Sequence, residues 1–311
     1  MISIVNKPQE VIDMISKIVL KILTVILCII LSISLFLSLL VLDINALVSK
    51  ETIKEVLVST IALPDPDSDE ESPVVDAIFN VLAKESSFPS PGKAELTVFM
   101  RESTITDYML DELATKLEDL IKGTDHAQVT TEEIKQLVNQ NADLIEETFG
   151  LDLATSDRET FENILNDTVA PFVNANLDDI ENLVIDGDDY TLGDLLGLIR
   201  PLLAESTLTW LLIINLVLVA AIFCTKRFHV AGTLFTTGRH LLGVTLTSSL
   251  FILIFQLFPD LLSGENLLIR ILHAFINVAG PIHYTLLALS VLLMAGAIVW
   301  KILFWRPKSR R

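Results

Sequence analysis

Carboxylates recur at short spacing in two places along this chain, and carboxylates so spaced are the raw material of a calcium site. In the stretch DPDSDEES, Asp65, Asp67 and Asp69 hold positions 1, 3 and 5 of an EF-hand-like loop, and Asp76 falls at position 12. The pattern then departs from what calcium needs. Glu70 stands where the sharp turn requires glycine, Pro66 occupies position 2, and the last ligand is Asp where a bidentate Glu is usual. A proline-punctuated acidic linker explains the same residues, its charges favouring the N-terminus of a helix that follows. The second place is Asp186, Asp188 and Asp189 around Gly187. Extracellular calcium sites can be as weak as about 10⁻⁴–10⁻³ M, so low specificity does not exclude one. An Asp-Gly turn solvated by its own carboxylates is the simpler reading. Calcium is therefore a cofactor that the sequence permits and does not require.

Histidines and a basic residue supply the other candidates. In Glu265 to Gly280, Asn266, Arg270, His273 and Asn277 recur at helical spacing, with Leu267, Leu268, Ile271, Leu272 and Phe275 opposite. That pattern predicts an amphipathic helix, too polar to span a membrane and suited to lie along its interface. Its polar stripe could instead face another domain or a pore entrance. His273 and His283 could together bind a metal or take up protons, but no third ligand is visible. Arg239 and His240 open an apolar segment and are expected to snorkel at its end. Neither a Gly-rich phosphate loop nor HExxH nor Cys-x-x-Cys occurs, so no enzyme activity is expected.

The elements that must position these residues are dominated by membrane spans. Of the 311 residues 51% are hydrophobic, and they cluster in blocks. Ile22–Leu42, Ser206–Thr225, Leu241–Pro259 and Pro281–Trp300 run 21, 20, 19 and 20 residues without Asp, Glu, Lys or Arg. At about 1.5 Å per residue, each crosses the roughly 30 Å of a bilayer's hydrocarbon. The first is too long for the core of a signal peptide and predicts an uncleaved anchor. Lys and Arg cluster in the three regions on one side: Lys7, Lys17 and Lys21, then Lys226, Arg227 and Arg239, then Lys301, Arg306, Lys308, Arg310 and Arg311. The loop between the third and fourth spans has Arg270 alone. This bias predicts cytoplasmic termini and places residues 43–205 outside, in a plasma membrane. Cys28 and Cys224 both lie in spans, leaving the large segment without cysteine, which fits a bacterial, Gram-positive surface.

Residues 43–205 contain 36 acids and 10 bases, for a net charge of −26, whereas the whole chain carries −18. Such a segment repels nucleic acid and anionic headgroups. Apolar periodicity and caps predict a mainly helical domain. Helices are read after Ser72, from Thr106 to Gly123, from Thr130 or Thr131 to Gly150, after the capping box Ser156–Glu159, over part of Asn174–Leu183, and from Thr191 onward with Pro201 at the join. Glu95–Arg101 and Val184–Gly187 read as strands of a minor β-hairpin. The fold class is thus mainly α: four transmembrane helices with a large helical domain between the first and second. The expected function is a binding or assembly module for a membrane or envelope protein, with the bilayer itself as a partner. A subunit of an oligomeric channel or transporter is the alternative, and a homo-oligomer would serve it.

Overall fold

The computed structural model describes residues 7–61, 92–125, 128–154, 157–173, 184–186, 190–258 and 267–304. The acidic linker Asp65–Asp76, the helices read after Ser72 and within Asn174–Leu183, Ser156, His126, Asp188, Asp189 and Asn266 all lie outside those residues. Four helices are long and apolar enough to cross a membrane, with a large helical region between the first and second. The chain forms two compact units, one of spans and one comprising residues 48–200 and 265–274.

In the membrane unit, α1 (Lys7–Leu47), α9 (Glu205–Thr225), α10 (Val230–Leu257) and α11 (Leu267–Phe304) carry the spans. Each extends past its apolar block. The basic stretch before the third span is mostly helical, because α10 begins at Val230 with His229 accepting from the Gly232 N–H at 2.9 Å. The helix read separately in 265–280 continues through Pro281 into the fourth span as one element. Many large apolar side chains on the four helices are exposed, as lipid demands, while Ser34, Ser38, Asn215, Thr245, Ser249 and Ser290 are buried. Close packing uses small residues. A Cβ on Gly238 of α10 would lie 2.9 Å from the Ser290 carbonyl oxygen of α11, so only glycine lets the two backbones approach this far.

The second unit comprises α2 (Lys50–Ile61), α3 (Lys93–Glu102), α4 (Thr104–Lys122), α5 (Thr131–Gln140), α6 (Ala142–Phe149), α7 (Asp157–Val173), strands β1 (Val184–Asp186) and β2 (Tyr190–Thr191), and most of α8 (Leu192–Leu203). Its core joins Leu96, Phe99 and Met100 of α3 with Ile105, Val138, Ile145, Phe149, Leu153 and Phe161. Caps read from sequence recur here. Thr130 accepts from the Glu133 N–H while Glu133 accepts back from the Thr130 N–H at 2.7 Å. Asp194 and Thr191 do the same at the head of α8. Gly123 ends α4 at φ 71°, and Arg200 donates to the Leu120 carbonyl at 2.7 Å beside it.

Three expectations are corrected. Glu95–Arg101 is helix, not strand: Leu96, Phe99 and Met100 bury one helical face, and Glu95 accepts from the Gly92 N–H at 2.8 Å. The helix read from Thr106 starts at Thr104. The helix read to Gly150 breaks at Asn141, and one side chain explains both changes. Asn141 is buried, accepts from the Thr104 N–H at 2.8 Å, and donates to the Thr104 hydroxyl at 2.7 Å. It thereby caps α4 from a distance. Val184–Asp186 is a strand, and its partner in the antiparallel pair is Tyr190–Thr191.

α2 is tied to α4 by charge. Lys54 reaches Asp107 at 2.8 Å and Asp111 at 3.1 Å, and Lys50 also pairs with Asp111. Burial pushes the Asp111 carboxyl up, but hydrogen bonds from Lys50 and Lys54 outweigh it and hold it below the usual carboxylate value. A lowered folded value contributes stability above the unfolded pKa, and that contribution is lost as pH falls through the folded value. Asp111→Asn should therefore lower the thermal midpoint of this unit at neutral pH. Asp111 is partly exposed, so the effect should stay within about 1 kcal/mol. The difference from the parent should begin to narrow below about pH 4 and close only as pH falls through the lower folded value. Calorimetry from neutral pH down to about pH 3 checks this, and a gap that does not narrow in acid would rule out the charge as its cause.

Candidate functional site

Three polar residues from three different spans meet inside the membrane unit. Ser249 of α10 lies with its hydroxyl 2.8 Å from His283 Nδ1, and His283 Nε2 lies 2.7 Å from Asp43 Oδ1 at the end of α1. His283 and Ser249 are both about 1% exposed, and the Asp43 side chain 23%. A carboxylate only accepts, so Nε2 donates to Asp43, while the Ser249 hydroxyl donates to Nδ1 of a neutral ring or accepts from Nδ1–H of a charged one. The sequence places these groups far apart, Asp43 and Ser249 on helices that both enter this contact from their C-terminal halves and His283 near the start of the last apolar block. That long separation is why no local pattern announces them. A signal did exist: an Asp closing one apolar run and a His opening another are ionisable groups at membrane depth, which are functional candidates by default.

Further polar contacts follow the same bundle. Asn215 of α9 donates to the Ser38 hydroxyl at 2.9 Å, and Thr24 to Thr225 at 3.0 Å. His240, which the sequence expects to snorkel, has a partner on another span. Its Nδ1 lies 2.8 Å from the Ser32 hydroxyl of α1, and its buried Nε2 has no hydrogen-bond partner among the described residues. Thr245, one turn before Ser249, is fully buried, and its hydroxyl likewise has none. Arg239 beside His240 is exposed.

Arg270 and His273 of the polar stripe find partners within the second unit. Arg270 donates to the Ser59 carbonyl, and His273 Nδ1 lies 3.6 Å from Glu55 Oε1, so this stripe faces α2. Asn277 continues on α11. His273 and His283 therefore have separate partners, and the metal they could share gains no support. Among the described residues no group of three His, Cys, Asp or Glu side chains could hold a metal ion. Of the second acidic turn, Asp186 is described, as the end of β1 opposite Tyr190.

Chemically, Asp43, His283 and Ser249 resemble the components of a hydrolytic triad, and Ser249 itself lies within a helix ladder, which uses the backbone N–H groups. Acyl transfer needs preorganised donors for the oxyanion beside the nucleophile. What the arrangement does offer is a buried imidazole held between an anion and a hydroxyl.

Fold and site together define a four-span membrane protein with a helical domain inserted between its first two spans and an ionisable cluster in its bundle. No protein-family model, curated protein or solved structure matches the chain.

Proposed function

We propose that this is a plasma-membrane protein whose acidic helical domain is a binding or assembly module for a partner in the membrane or envelope. The observation that carries this reading is the core of the second unit, where Val138 and Ile145 are fully buried among Leu96, Phe149 and Phe161. A domain that buries its own apolar side chains leaves its charged surface free to recognise something else. That surface belongs to a segment of net charge −26, which suits a basic or cation-bridged partner and disfavours nucleic acid. The Lys and Arg bias supports cytoplasmic termini and an outward-facing domain. Absence of cysteine from the domain supports a bacterial, Gram-positive surface.

A photo-crosslinking residue tests this in growing cells. Placed at Glu147 or Glu159, it should capture one specific protein, whereas at Leu216 it should not. Capture at Leu216 alone would overturn the module reading. Orientation is read in parallel: Asp125→Cys should react with an impermeant maleimide on intact cells, and Ser309→Cys should react only after lysis. The reverse result would invert the topology.

A second reading, a subunit of an oligomeric channel or transporter, is favoured by one observation: His283 and Asp43 place ionisable groups inside the spans. Native mass spectrometry from lipid nanodiscs separates the two, since a pore enclosed by spans requires a ring of several copies.

A further inference from the structure

We propose that Asp43, His283 and Ser249 form a proton-binding site inside the membrane bundle, with the proton as ligand and Asp43 as its fixed counter-charge. This inference stands apart from both readings of the whole protein. The first argument is charge. With a neutral ring the site holds one part-buried carboxylate and a formal charge of −1; one proton taken from water makes the pair neutral. In a low-dielectric bundle that difference is large, so occupancy by a proton changes how strongly α1 and α11 hold together.

The second argument is the hydroxyl. A histidine with a purely structural role needs a partner for one protonation state only. Ser249 serves both, because a hydroxyl donates to the bare Nδ1 of the neutral ring and accepts from the Nδ1–H of the cation. When it accepts, its own hydrogen can turn to the carbonyl one turn back on α10, the bond that serine commonly makes in a helix. Nε2–H stays on Asp43 throughout. The proton therefore arrives at Nδ1 with no group left unsatisfied in either state.

The third argument is isolation from other charge. On α1 the nearest ionisable group besides Asp43 is Cys28, and on α10 it is His240, nine residues from Ser249. α9 has Glu205 and Cys224 at its two ends. On α11 the neighbour is Tyr284, whose hydroxyl donates to Gln256, and beyond it lie His273 and Arg270, which engage Glu55 and Ser59. No Lys or Arg competes for Asp43 within these spans. Asp43 alone of the three is partly exposed.

The test uses the full chain in lipid nanodiscs with ring-¹⁵N histidine, the His283 signal being assigned by its loss in His283→Gln. Across a pH series His283 should pass through a single one-proton transition. Its neutral form should be the Nε2–H tautomer. In Asp43→Asn the transition should change, because the fixed counter-charge beside Nε2 is gone. A His283 that keeps one protonation state throughout, or a neutral form protonated at Nδ1, would overturn the site, and both are read on the parent protein whether or not a variant folds. An unchanged transition in a folded Asp43→Asn would overturn the role of Asp43.

Discussion

Replacing His283 by leucine should destabilise the membrane bundle more than replacing His283 and Asp43 together. His283 is buried with its Nε2 at 2.7 Å from Asp43, and removing it leaves a part-buried carboxylate without its partner. Breaking a buried pair from one side typically costs about 3–5 kcal/mol, whereas exchanging both partners for apolar groups of like volume is often close to neutral. Because Asp43 keeps 23% of its side chain exposed, the single change should fall toward the lower end of that range. The double variant His283→Leu with Asp43→Leu should recover most of the loss. Unfolding in mixed micelles, followed by helical circular dichroism, orders the three proteins. If the double variant is as unstable as His283→Leu or worse, packing of the imidazole and not its charge partner dominates, and the pair has no special energetic role. A companion Ser249→Ala should cost less than His283→Leu, since it leaves a neutral ring nitrogen unpaired and no charge.

How much of this was legible beforehand varies with the range of the interaction. The spans were fully legible, since 19 to 21 uncharged residues in a row have few other uses. Local caps were legible too: Thr130 with Glu133, Thr191 with Asp194, and Gly123 each satisfy backbone groups within a few residues. Glu95–Arg101 misled because Thr97 and Val98 suggest a strand by composition, while the spacing of Leu96, Phe99 and Met100 already matched a helix. Periodicity was the better guide there than β-branching. The break at Asn141 was not legible, because its cause is a side chain reaching Thr104 across 37 residues. The same limit hid the site. Asp43 and His283 are 240 residues apart, and Ser249 is one hydroxyl among several on a small-residue helix face until the fold brings the three together.

Phe149→Ala should be among the most damaging single substitutions in the second unit. Phe149 is 6% exposed and lies between two other rings, edge-on to Phe99 at 5.2 Å and tilted against Phe161 at 5.4 Å. Those rings come from α3 and α7, so Phe149, at the end of α6, joins elements that are distant in sequence. Gly150 follows at φ 61° and fixes how α6 ends, leaving the Phe149 position little freedom to collapse into the space that truncation opens. Removing a core phenylalanine costs about 3–5 kcal/mol, through lost transfer energy and the cavity left behind. Against a typical domain stability of about 5–15 kcal/mol, that is a third or more of the total in most cases. Amide hydrogen exchange on the full chain in nanodiscs gives the opening free energy at Val138 and Ile145, both fully buried in the same core. Their protection should fall together in Phe149→Ala, by about two to four orders of magnitude in exchange rate. Leu198→Ala is the control: that side chain is 75% exposed, and its loss should change protection by no more than about 0.5 kcal/mol. If Phe149→Ala shifts protection no further than Leu198→Ala, the three rings do not form the joint that holds α3, α6 and α7, and the core must rest on the aliphatic residues around them.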